Sequence, residues 1–258
     1  MATTAKDRAW GGNTMVGKLE RVLVFPPVEP DPSVSWQEFG YLRPLNHQQA
    51  VEEHEAFRSM LAADGVQVVT GEIDDPALQD AIFVFDPSFM TDAGAIICRM
   101  GKPLREPETR LARATMEELG IPIAGSIEPP GMVEGGDCLW IDRKSLAIGR
   151  GFRTNQAGID QMRAILSEQD VEVIEVGLPY WNGPAECLHL LSLISMIDDD
   201  LAVVYRPLME VGFLQFLLAR GIELVDVPGE EFPTQGPNVL VTEPRKCIML
   251  GENSQTAD

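Results

Sequence analysis

The chain has 258 residues, 45% of them hydrophobic and 23% charged, with 40 acidic against 20 basic side chains and a formal net charge of −20. Acid spread along the whole length leaves no basic face for a phosphate backbone, which excludes nucleic acid as a partner and favours cationic small molecules at long range. No stretch reaches the ~20 apolar residues of a membrane span; the most apolar run, residues 188–197, is short and contains His189, Ser192 and Ser195.

In chain order, residues 1–13 are polar and Gly-rich, so no signal peptide is expected and the location is read as cytoplasmic. Short apolar runs at 14–16 and 21–25 read as a hairpin. Residues 47–63 read as a helix, with His47 and His54 expected on its surface, and 66–70 as a strand. The pattern then repeats. A hairpin over 82–86 and 95–100 precedes a helix at 106–119 and a strand at 121–125. A hairpin over 137–141 and 146–149 precedes a helix at 156–167 and a strand at 171–176. A hairpin over 190–197 and 201–206, turning at Asp198-Asp199-Asp200, precedes a helix at 208–220 and a strand at 222–227. A last hairpin spans 238–242 and 247–250, and the polar tail 251–258 reads as disordered. The helices carry apolar residues at three- and four-residue spacing, as in Ile159, Met162, Ile165 and Leu166, and Gly65, Gly120 and Gly221 stand where helices stop.

The unit is therefore strand–strand–helix–strand, recurring about every 50 residues, a period that signals a repeat architecture. The expectation is a single α/β domain over residues 1–258: a five-unit α/β propeller whose fifth unit is only a hairpin. About 25–35 residues are missing from that unit if the period holds. The competing arrangement is an ordinary α/β sandwich with an arbitrary number of hairpins. An unclosed ring leaves edge strands unpaired, which favours a homo-oligomer.

Four segments occupy equivalent places at or near the start of a first hairpin strand: Phe85-Asp86-Pro87, Glu134-Gly135-Gly136-Asp137, Glu186-Cys187-Leu188-His189 and Gly236-Pro237-Asn238. In a ring these starts meet, gathering Asp86, Glu134, Asp137 and His189. Clustered carboxylates bind a planar cation through paired, charge-assisted hydrogen bonds, and a histidine beside them shuttles protons near neutral pH. Taken singly, Asp86 also fits a plain turn, Gly135-Gly136 a tight bend, and His189 a hydrogen-bonded core residue. Arg153 lies in a loop that opens a helix, with Thr154 or Asn155 as N-cap, and suits either a bidentate carboxylate clamp or the solvated surface.

Glu134-Gly135-Gly136-Asp137, Arg153-Thr154-Asn155 and Cys187-Leu188-His189-Leu190, in this order, resemble the guanidino-group-modifying superfamily. It comprises dimethylarginine dimethylaminohydrolases, arginine deiminases, arginine dihydrolases and amidinotransferases, and its fold is a five-unit α/β propeller, the pentein. The resemblance extends over nearly the whole chain. It implies a hydrolase acting on the guanidino C–N bond of arginine or an N-methylated arginine, with no cofactor or metal. It further implies that Asp86 and Glu134 bind the guanidinium, with Asp137 nearby. His189 is the general acid/base, and Arg153, with Arg105, holds the substrate carboxylate. In the family a cysteine thiolate attacks the guanidinium carbon and forms a thiouronium intermediate.

Two features depart from the family pattern. Arginine deiminases carry an aspartate two residues after the histidine, where this chain has Leu191. The nucleophilic cysteine of relatives lies beyond the last hairpin, where this chain ends. The four cysteines, Cys98, Cys138, Cys187 and Cys247, form no C-x-x-C pair and read as reduced thiols. Cys138 and Cys187 point away from the site by strand alternation, and Cys247, on the second hairpin strand, is a poor substitute. The alternatives are a non-catalytic guanidino-binding member and an amidinotransferase.

Overall fold

Strand β1 (Arg21–Val24) and strand β2 (Gln67–Thr70) pair in parallel, joined through helix α1 (His47–Ala63). The connection must be long because parallel neighbours need a crossover. Asn46 caps α1 by accepting from the Gln49 N–H. The computed structural model describes residues 10–186 and 188–258.

The next three sheets share one plan. A hairpin is followed by a helix and a third strand parallel to the hairpin's second. In chain order these are β3 (Ser88–Thr91), β4 (Gly94–Ile97), α2 (Glu108–Glu118) and β5 (Ile123–Ser126); then β6 (Cys138–Asp142), β7 (Ser145–Arg150), α3 (Gln156–Ser167) and β8 (Glu172–Gly177); then β9 (Ile194–Asp198), β10 (Leu201–Val204), α4 (Val211–Ala219) and β11 (Glu223–Asp226). A hairpin of β12 (Leu240–Glu243) and β13 (Lys246–Ile248) makes a fifth sheet. Neighbouring units touch in sequence. Arg99 bridges to Val133, Arg220 reaches Asp142, the Ser195 hydroxyl donates to the Pro237 carbonyl, and the Leu19 N–H donates to the Thr242 carbonyl. The last contact ties the lead-in to β1 onto the fifth sheet.

One apolar core joins the sheets of β6–β8 and β9–β11 to α4, and a second lies under α3. Ile159, Met162 and Leu166 of α3 are fully buried, each worth about 1.5–3 kcal/mol of transfer free energy. The Asn155 side chain caps α3, accepting from Gly158 N–H, and also accepts from Met132 N–H. It thereby locks the helix start to the chain entering β6. Among the described residues no helix is long and apolar enough to cross a membrane.

Four sequence expectations are corrected. Residues 14–16 form no strand, because the Thr14 hydroxyl accepts from the Val16 and Gly17 N–H groups and bends the chain. The first strands expected at 82–86 and 190–197 start later, at Ser88 and Ile194, after 3-10 turns at Gln79–Ile82 and Leu190–Ser192. The tail expected to be disordered carries a short helix, α5 (Ser254–Ala257), whose Gln255 and Thr256 N–H groups bond the Glu231 carboxylate. His54 is buried against the first sheet rather than exposed.

Gly158 shows how tightly α3 is seated: a Cβ there would stand 2.1 Å from the Met132 carbonyl oxygen. Gly→Ala in a helix ordinarily gains close to ~1 kcal/mol. Here Gly158→Ala is expected to lose about 2–3 kcal/mol by overpacking, read as a lower urea midpoint at unchanged m-value. An equal or higher midpoint would contradict this packing.

Candidate guanidinium-binding site

Of the four segments expected to converge, those of Asp86, Glu134–Asp137 and His189 do so, whereas Gly236-Pro237-Asn238 meets β9, its Pro237 carbonyl accepting from the Ser195 hydroxyl. Asp86 lies two residues before β3, Glu134 to Asp137 run into β6, and His189 precedes the turn leading to β9. Each therefore sits at the same end of its sheet. The contact is close because Gly135 and Gly136 have no side chains. A Cβ on Gly135 would fall 1.9 Å from the Phe85 carbonyl oxygen, and one on Gly136 would fall 2.4 Å from His189 Nδ1. The glycine pair thus lets a backbone pass between Asp86 and the imidazole.

Glu134 is fully buried and its carboxylate is the hub. Oε2 lies 2.9 Å from His189 Nε2; a carboxylate only accepts, so that nitrogen donates. Oε1 accepts from the Gly101 N–H at 2.9 Å and the Lys102 N–H at 3.3 Å. Arg153 Nη1 straddles both oxygens at 3.2 and 3.1 Å. Burial pushes the carboxyl up, but the His189 bond and the charges of His189, Arg153 and Arg105 prevail and hold it at about 2. Asp86 Oδ1 accepts from the Gly136 N–H at 2.9 Å and faces His189 Nδ1 at 4.0 Å, while Oδ2 takes Arg105 Nη1 at 2.7 Å. The arrangement groups two carboxylates with an imidazole, a set of the kind that can bind a planar cation. Asp86, Glu134 and His189 also place one potential metal ligand each within 4.8 Å of one another, but two guanidinium groups of the protein already lie on these carboxylates.

Three residues expected to bind a ligand, Asp137, Arg105 and Arg153, have partners within the protein. Asp137 is fully buried, accepting from the Thr154 hydroxyl at 2.6 Å and the Leu190 N–H at 3.1 Å. Thr154 Oγ1 in turn accepts from the Glu134 N–H at 3.2 Å. Asp137 therefore ties the Glu134, Arg153 and His189 segments together. Arg105 is buried, with Nε and Nη2 on Glu108 and Nη1 on Asp86; burial opposes its charge, and the bonds and charges of Glu108 and Asp86 keep it protonated. Arg153, expected on a substrate carboxylate, lies on Glu134.

Several residues at the site are not evident from sequence. Asp80 accepts from Lys102 Nζ at 2.9 Å and Tyr41 OH at 2.6 Å, and Lys102 Nζ also donates to the Phe39 carbonyl at 2.6 Å. Their one signal was an acid, Asp80, standing directly before the apolar run 81–85 that leads to Asp86. Thr154 was legible only as a helix cap; the cap is Asn155.

Two of the described thiols lie in the core against the site, that of Cys138 donating to the Glu134 carbonyl at 3.9 Å. Cys98 and Cys138 are buried, and burial together with nearby acidic groups pushes both thiols well up. Cys247 packs partly buried against the core, its thiol likewise raised by burial. Cys187 lies outside the described residues.

Burial also pushes the Asp137 carboxyl up, to about 6, against the opposing His189 charge and the Thr154 and Leu190 bonds. A raised folded value means that its contribution to stability is complete below the unfolded value of 3.8 and is lost as pH rises through about 6. Wild type is therefore expected to lose on the order of 2 kcal/mol relative to Asp137→Asn between pH 4 and 7. Urea melts across that range check this; parallel profiles for the two proteins would refute it.

A family model described as arginine deiminase matches residues 72–222. The N(G),N(G)-dimethylarginine dimethylaminohydrolase of Streptomyces coelicolor is 30% identical over 216 residues, covering 83% of this chain and 76% of its own. The enzyme of that name from Pseudomonas aeruginosa is 28% identical over 193 residues, covering 74% and 70%. Its fold, solved as a cysteine-to-serine variant complexed with citrulline, matches with a TM-score of 0.75 at 23% identity, covering 93% of this chain and 87% of that one. SxtG, an amidinotransferase from Microseira wollei in the saxitoxin pathway, matches in fold with a TM-score of 0.72 at 16% identity, covering 94% and 86%. With a family match spanning more than half of its length and a relative at 30% identity over most of it, the chain belongs to the guanidino-group-modifying superfamily of arginine deiminases and dimethylarginine dimethylaminohydrolases.

Proposed function

We propose that this protein binds the guanidino group of arginine or an N-methylated arginine and is built on the plan of a hydrolase for its C–N bond. The observation that carries the reading is the buried Glu134 carboxylate hydrogen-bonded to His189 beside Asp86, a pair of anions matched to a planar cation. In the reaction of this plan, a thiolate adds to the guanidinium carbon and the C–N bond to the amine breaks, with His189 delivering the proton the amine needs. Water then takes the sulfur's place at carbon, its proton returning to His189. The relatives named dimethylarginine dimethylaminohydrolase support the methylated substrate class.

No described cysteine is placed to be that thiolate, so the reading for these residues is a complete binding half without an assigned nucleophile. The five sheets and the contact of the β1 lead-in with β12 support a five-unit propeller, in which the site lies where the units meet. The free thiols support a cytoplasmic setting.

Calorimetry with arginine, N-methylarginine and citrulline, alongside citrulline detection, tests this. Wild type is expected to bind the guanidino compounds, and Glu134→Gln to weaken binding by about a hundredfold or more, since it removes one partner of a buried charge pair. Citrulline formation is expected to be the same for wild type and Cys247→Ala. Equal binding by wild type and Glu134→Gln would defeat the binding assignment; citrulline from wild type but not from Cys247→Ala would make Cys247 the nucleophile.

A further inference from the structure

The site already holds a guanidinium. Arg153 projects from the loop before α3, and its Nη1 lies 3.2 and 3.1 Å from the two oxygens of Glu134, the carboxylate that also bonds His189. The Arg153 side chain is 11% exposed and Glu134 not at all, so this is a desolvated pair and not a surface bridge. It is chemically the contact a substrate guanidinium makes. Both cations need the same acceptor, and the other lone pairs of Glu134 are engaged by His189 and the Gly101 and Lys102 N–H groups.

Backbone and side chain of Arg153 have opposite surroundings. The backbone is pressed against Gly101, where a Cβ would fall 2.8 Å from Arg153 Cα. The side chain borders a cavity of about 270 Å³ walled by Phe152, Leu178, Tyr180, Glu186 and Leu188. The loop backbone is therefore anchored while the side chain has room to swing.

Resting on the guanidino reading above, we propose that Arg153 is a displaceable internal occupant of the substrate guanidinium's place, and that this exchange makes the site select ligands charged at both ends. A ligand bearing a guanidinium and a carboxylate replaces Arg153 on Glu134 and at the same time gives the released Arg153 an anion in the side cavity. Ion pairing is exchanged rather than lost. A guanidine without a carboxylate leaves the released Arg153 only Glu186 of the cavity wall, an exposed acid whose charge water screens, so it binds less well although its head group fits. The penalty lies in the competing state, which is how specificity is built against a near-identical head group.

A simple carboxylate clamp and a displaceable occupant respond differently to the removal of Arg153. For a clamp, Arg153→Leu weakens arginine and leaves methylguanidine unchanged. For an occupant, Arg153→Leu tightens methylguanidine, expected at roughly tenfold or more in Kd, the scale of ordinary coupling between sites. Wild type gives an independent measurement that needs no variant to fold. Coupling is reciprocal, so acetate, by drawing Arg153 away, is expected to tighten methylguanidine several-fold relative to chloride at equal ionic strength. Calorimetric titration of both proteins with methylguanidine and with arginine, with and without acetate, decides the matter. Arginine binding with no gain for methylguanidine in Arg153→Leu and no acetate effect in wild type would overturn the inference and leave the guanidino reading standing. Failure of both ligands to bind either protein would overturn the guanidino reading, and the inference with it.

Discussion

The ionised carboxylate of Glu134 is held out of water, and the surrounding structure is arranged to tolerate that charge. An unpaired buried anion would protonate or destabilise the fold. Two backbone N–H groups, an imidazole and a guanidinium prevent this. They come from three different stretches of chain: the loop after β4, the segment before β9 and the loop before α3. The requirement of Glu134 for partners thus fixes three loops relative to one another, and the functional geometry and the local stability share one cause.

Asp137 completes the arrangement from beneath. It binds the Thr154 hydroxyl and the Leu190 N–H, one residue away from Arg153 and one residue away from His189. The two acids of the Glu134-Gly135-Gly136-Asp137 motif have opposite environments. The first is held strongly acidic by cations, and the second is made weakly acidic by burial among neutral donors. The glycines between them are required by the approach of the His189 ring and of the Phe85 backbone. The motif is a crossing point of three segments as well as the source of the Glu134 carboxylate.

The carboxylates around the site are matched by the protein's own guanidinium groups: Arg105 on Asp86 and Glu108, Arg153 on Glu134. Arg105 is enclosed and serves to position Asp86. Arg153 borders open volume. That difference in surroundings separates a structural arginine from one with freedom to exchange partners, although both appear in the sequence as arginines shortly before helices.

Periodicity alone determined the plan of three complete units. The bounds of α1 and α3 follow from apolar spacing and from Gly or polar stops, because those helices bury one continuous face and the pattern records it. The equivalence of Asp86, Glu134 and His189 was legible for a related reason: a repeat places corresponding residues at corresponding strand starts. The late starts of β3 and β9 were not legible, because the turn residues ahead of them, Ile82 to Phe85 and Leu190-Leu191, have much the same apolar composition as strands. Nor was the segment at 14–16, where a hydroxyl bonding its own backbone outweighs β-propensity. Which partners Asp137, Arg105 and Arg153 take within the protein was decided only in three dimensions. A charged residue's sequence neighbours state its chemistry, but its partner is chosen by which distant segments burial brings within hydrogen-bond reach.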